Sequence, residues 1–145
     1  MLQNIKFVKI QMQASHIEHI GIAVENLEKA ISLYEKILGV KCYLIEKVDT
    51  QMVRTAFFKI GETKIELLEA TSLGSPIAKF IKKSGEGIHH IAFAVNDVQK
   101  ALDNAKTAGC ELINESPVVG AGNLKVGFLH PKSTFRTLIE FCGKH

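Results

Sequence analysis

The 145-residue chain is 46% hydrophobic and carries a net charge of +3, with 18 basic and 15 acidic side chains mixed along its length. This suits one compact domain or two small halves sharing a core, and no basic run or aromatic-basic interleaving marks a nucleic-acid surface. Cys42, Cys110 and Cys142 form no C-x-x-C pair and read as reduced thiols of a cytoplasmic protein, while no run of about 18 apolar residues predicts a membrane span.

Residues 1–15 are mixed and amphipathic, without the apolar block of a signal peptide, and read as an N-terminal extension. Residues 16–145 are expected to form one domain. Ile17 to Val24 predicts a strand with two unlike faces: Ile20, Ile22 and Val24 on one, His19, Gly21 and Ala23 on the other. Asn26 is a fair N-cap for a helix carrying Leu27, Ala30, Ile31, Tyr34, Ile37 and Leu38, and Gly39 ends it. Lys41 to Val48 and Val53 to Ile60 read as strands. Gly61-Glu62 is a turn before a strand over Thr63 to Ala70. Ser75-Pro76 opens a short helix with Ile77, Phe80 and Ile81 on its apolar side.

After Gly85-Glu86-Gly87 the pattern starts again. A shift of 71 positions lays His90 on His19, Ala94 on Ala23, Val95 on Val24, Asp97 on Asn26, and Val98 on Leu27. A strand over Ile88 to Val95, a helix capped by Asp97, and strands at about 111–115, 124–130 and 137–142 complete the copy. Each half therefore reads β-α-β-β-β, in modules of about 16–84 and 88–143, and the fold class is α+β. In both copies the bulky residues lie opposite the histidine, where the helix should pack. The histidine face carries Gly21 and Ala23, then Ala92 and Ala94, leaving room for a pocket.

Each half also sets an acid in an apolar strand: Glu66 within Ile65-Glu66-Leu67, and Glu140 within Ile139-Glu140-Phe141, 47 and 50 residues past their histidines. A lone histidine or strand acid is most often simply hydrogen-bonded. A duplicated pair is different, because a buried carboxylate costs several kcal/mol unless neutralised. Two imidazoles and two carboxylates at equivalent positions suit a borderline divalent transition metal. His16 and His89 are expected on the other strand face or at its end. Glu69 is expected in solvent, and His130 and His145 in loop and tail. Gly120-Ala121-Gly122 lacks the strand-then-helix context of a phosphate loop.

Residues 16–143 resemble the vicinal oxygen chelate superfamily. The segments His16 to Val24, Ser75 to Ile81, Gly85 to Phe93 and Phe128 to Lys132 together resemble its methylmalonyl-CoA epimerases. The resemblance implies two tandem βαβββ modules in an eight-stranded cup, with metal ligands at His19, Glu66, His90 and Glu140. It also implies cobalt, nickel, manganese or zinc as cofactor and a thioester as small-molecule partner. The implied reaction is epimerisation at C2 of methylmalonyl-CoA by proton abstraction through a metal-stabilised enolate, with Glu140 as the base, in a homodimer. Some epimerases carry a glutamate as second acid/base where this chain has Thr55, and Phe135-Arg136 stands where small residues are common. Glyoxalase I (lactoylglutathione lyase) shares the ligand set and is the nearest alternative. A metal-free small-molecule-binding module of the same fold is the second.

Overall fold

The computed structural model describes residues 13–144; most of the predicted extension, residues 1–12, lies outside them. The first half runs β1 (His16–Ala23), α1 (Leu27–Leu38), β2 (Leu44–Val48), β3 (Val53–Ile60) and β4 (Thr63–Ala70). A helix, α2 (Pro76–Ser84), leads to the second half: β5 (Gly87–Ala94), α3 (Val98–Thr107), β6 (Val118–Val119), β7 (Lys125–Leu129) and β8 (Ile139–Gly143).

The helix starts follow from their caps. Asn26 accepts from the Lys29 N–H and Asp97 from the Lys100 N–H, the same contact at the same place in the repeat. Such a cap contributes about 1 kcal/mol. Ser75 accepts from the Ile77 N–H, with Pro76 in the first turn of α2. Gly39 closes α1 in the left-handed conformation that its position requires.

Among the described residues, all eight strands join one sheet in the order β2-β3-β4-β1-β5-β8-β7-β6. The duplicated strands β1 and β5 run antiparallel at its centre, and each has a parallel partner outside it, β4 and β8 respectively. The halves thus mirror one another across the β1/β5 seam. The sheet curls into a half-barrel, so its remote ends approach: the Gly122 N–H donates to Glu46 Oε2 at 3.2 Å.

Two equivalent cores lie outside the cup. Val24, Leu27, Phe58 and Leu67 pack under α1; Val95, Val98, Leu102 and Leu129 pack under α3. Fully burying a leucine such as Leu27 or Leu102 contributes roughly 1.5–3 kcal/mol. Inside the cup, α2 sets Ile77 against Ala23, Val53 and Leu68. Ile37 and Leu38, expected on the apolar face of α1, are instead exposed at its last turn.

Some boundaries differ from expectation. The strand expected from Lys41 begins at Leu44. The segment 111–115 is not a strand. It follows β7 through one bridge, Leu112 to Leu129, and the Asn114 side chain accepts from the Phe128 N–H in place of a ladder bond. The short strand β6 pairs with β7 instead, beyond Pro117, which has no N–H to give a ladder. Glu69 is not in solvent: it accepts from the Leu27 N–H at 2.7 Å and from Arg54 at 3.1 Å, and so serves the start of α1.

Candidate metal centre

The sheet register gives the two halves the same site geometry. Glu66 pairs with Gly21, two residues past His19, and Glu140 pairs with Ala92, two residues past His90. All four side chains therefore reach the inner face of the cup at one level, and all four are buried. His19 Nε2 lies 2.9 Å from His90 Nε2, 2.9 Å from Glu66 Oε2 and 3.3 Å from Glu140 Oε2. His90 Nε2 lies 3.0 Å from Glu140 Oε2 and 3.8 Å from Glu66 Oε2. The sequence-predicted residues are brought together without exception.

The close approach of His90 depends on Gly21, its partner across the seam. A Cβ on Gly21 would fall 2.2 Å from His90 Cε1, well inside contact distance. The small residue on the histidine face is what lets one half's imidazole lie over the other half's strand.

The donor set fits a cation. The Nδ1 of His19 donates to Glu18, and the Nδ1 of His90 lies 2.9 Å from the Nδ1 of His89. With the far nitrogens so engaged, the Nε2 atoms of His19 and His90 and one oxygen each of Glu66 and Glu140 are the atoms left to hold an ion. His19, His90 and Glu140 form a group whose ligand atoms all lie within 4.8 Å of one another. Burial alone would lower the His19 imidazole, but hydrogen bonds to Cys142, Glu140, Glu18 and Glu66 hold it well above the usual histidine range. Burial would raise Glu140, yet hydrogen bonds and charge from His19 and His90 bring it to about 2.

A cavity of about 150 Å³ opens over these four residues, lined also by Thr55, His89 and the Gly120–Gly122 turn. Thr55 is 0% exposed and its Oγ1 has no hydrogen-bond partner among the described residues, so the cavity holds an unused polar group. His89 was expected on the opposite face or at the strand's end, and the structure corrects this: it lines the cavity. The register of β1 against β5 shifts between Gly21 and Ile22, so His89 is an extra residue turned toward the cavity. Its ring packs edge-on against Phe80 of α2, with centroids 4.9 Å apart. Burial and the neighbouring His90 lower it to about 4, against the opposing charge of Glu140. Glu18 also lines the cavity; sequence reasoning passed over it, because strict alternation sets it on the outer face. Phe135 and Arg136 form a strained exposed turn, both with positive φ, and do not line the cavity.

The chain is similar to several known proteins. Residues 18–128 match the Glyoxalase/Bleomycin resistance protein/Dioxygenase superfamily. The chain is 38% identical over 126 residues to an ethylmalonyl-CoA/methylmalonyl-CoA epimerase of Cereibacter sphaeroides, covering 86% of this chain and 94% of that protein. A Streptomyces coelicolor methylmalonyl-CoA epimerase, solved with 2-nitronate-propionyl-CoA, superposes with a TM-score of 0.87 at 32% identity, covering 91% and 96% of the two chains. A hypothetical protein from Bacillus halodurans C-125 gives a TM-score of 0.87 at 46% identity, covering 90% and 94%. A lactoylglutathione lyase of Neisseria meningitidis is more distant, at 27% identity over 127 residues, 87% of this chain and 88% of that one.

Proposed function

The chain belongs to the glyoxalase/bleomycin resistance protein/dioxygenase superfamily, among its methylmalonyl-CoA epimerases, and from that premise we propose that it inverts C2 of methylmalonyl-CoA with the help of a divalent transition metal. The observation that carries the metal is the approach of His90 Nε2, Glu66 Oε2 and Glu140 Oε2, all buried, to within 3.3 Å of His19 Nε2, so that each half brings one histidine and one glutamate to the same place. His19, Glu66, His90 and Glu140 would hold cobalt, nickel, manganese or zinc, whose charge the two carboxylates cancel. When bound, the ion supplies Lewis-acid stabilisation of negative charge on the substrate's oxygens.

The remaining work falls to the chain. Glu140 lines the cavity and, as the base, takes the C2 proton on one face. Inversion requires a proton to be delivered to C2 from the opposite face, and because a carboxylate proton exchanges with water, solvent hydrogen enters the product. Thr55 offers its unpartnered hydroxyl to a polar group of the substrate.

Incubation of the metal-loaded protein with one C2 epimer in heavy water tests the reading. Deuterium should enter C2 while the opposite epimer accumulates. No exchange, with turnover of the hemithioacetal of glutathione and methylglyoxal instead, would make it a lactoylglutathione lyase. Protein that takes up no metal and turns over neither compound would be a binding module.

A further inference from the structure

Two irregularities interrupt the β1/β5 seam, and they are related by the repeat. Ile17 faces Phe93 and His19 faces Ala92, so Glu18 is an extra residue on β1. Gly21 faces His90 and Ile22 faces Ile88, so His89 is an extra residue on β5. In a regular strand, the residue before each histidine would point out of the cup. A bulge re-aims it. Each extra residue consequently reaches the Nδ1 of the histidine that follows: Glu18 on His19, His89 on His90.

The two partners differ in chemistry. His89 is an imidazole and meets His90 Nδ1 to Nδ1, so only one of the two nitrogens carries the shared proton. Glu18 is a carboxylate with no proton to give. Its second oxygen is occupied by Lys64, whose Nζ lies 2.5 Å from Oε1. The Glu18 side chain is 12% exposed, and Lys64 comes from β4 at the position paired with His19 itself. The carboxylate is thus fixed from one side by a cation and can only accept from His19 on the other.

We infer that Glu18, turned inward by the bulge and held by Lys64, is a positioning residue for His19: it keeps the proton on Nδ1 and so directs the Nε2 lone pair into the metal centre. The inference rests on the metal reading above. An anionic acceptor at Nδ1 also makes His19 the more strongly donating of the two imidazoles. The two halves, alike in their ligands, are then unlike in how firmly each grips.

Affinity for cobalt, measured by competition with a coloured chelator, tests this directly, and the cobalt absorption spectrum reports the coordination. Glu18→Gln keeps an acceptor oxygen for Nδ1 and is expected to weaken binding by only a few-fold. Glu18→Leu removes the acceptor and is expected to weaken it by roughly 10–100-fold, the usual effect of losing a ligand's outer partner. Because Glu18→Leu strands the Lys64 cation, the double variant Glu18→Leu/Lys64→Met serves as the fold-preserving form and should show the same loss. Lys64→Met alone should fall between. Wild-type affinity and spectrum in both Leu variants, with the wild type binding cobalt, would overturn the role of Glu18 alone. A wild type that binds no cobalt would overturn the metal reading and this inference together.

Discussion

Glu140 is assigned two tasks, and a pair of substitutions separates them. Glu140→Gln keeps the shape and one oxygen donor but removes the basicity. At saturating metal, turnover should fall by roughly 10²–10⁴, the range for a positioned acid/base. Glu66→Gln retains a neutral oxygen ligand, so most turnover should survive under the same conditions. Equal turnover in the two variants, each shown by elemental analysis to be fully loaded, would make Glu140 a ligand only. These residues were legible in the sequence because duplication marked them twice; an isolated strand acid carries no such signal. Glu18 and His89 were not legible. Their inward aim depends on a register slip between two strands, which no one-dimensional alternation encodes.

Elements were predicted well where a local rule governs them. The caps Asn26, Ser75 and Asp97 act as their residue types dictate. The segment 111–115 failed because its partner strand is engaged through the Asn114 side chain, a tertiary choice. The seam itself makes a sharp prediction. Gly21→Ala should push the His90 ring off its place, at a cost of ~1–3 kcal/mol for overpacking. The larger consequence is for the ligand set: metal affinity should fall while the sheet stays folded. Circular dichroism with cobalt titration checks both, and unchanged affinity would show that His90 yields without loss.

Across the whole molecule, stability of the chelator-treated protein should vary with pH in steps of known sign. Folded His89 protonates only at about 4 against 6.5 when unfolded. The unfolded chain therefore binds the extra proton first, and stability is full above pH 6.5 and lost as pH falls toward 4. Glu18 and Glu140, both lowered to about 2 from 4.5, continue the loss between those limits. His19 acts oppositely: raised in the fold, it contributes below pH 6.5 and the contribution is lost as pH rises through its folded value. Denaturant titrations from pH 8 to 3 should show His89→Gln lacking the first step and keeping the second; an unaltered first step would place that titration elsewhere. Assembly is a second molecular prediction. The edge strand β2 leaves Leu44 and Ile45 exposed, and α1 leaves Leu33 and Ile37, so we expect a homodimer that covers such surface. A one-chain sedimentation mass over a wide concentration range would refute it.

The seam gives the chain an unusual relation to its own covalent continuity. Each half contributes one imidazole and one carboxylate, and the β1/β5 ladder joins the halves without using the Gly85-Glu86 link that connects them in sequence. The link has local contacts of its own, the Gly85 N–H closing α2 on Ile81 O and the Glu86 carboxylate accepting from the Glu25 N–H, and it also holds two complementary fragments at high effective concentration. A chain severed there, and supplied as two separate polypeptides, should reassemble in proportion to the ion added, with the ion taking over the role of the missing peptide bond.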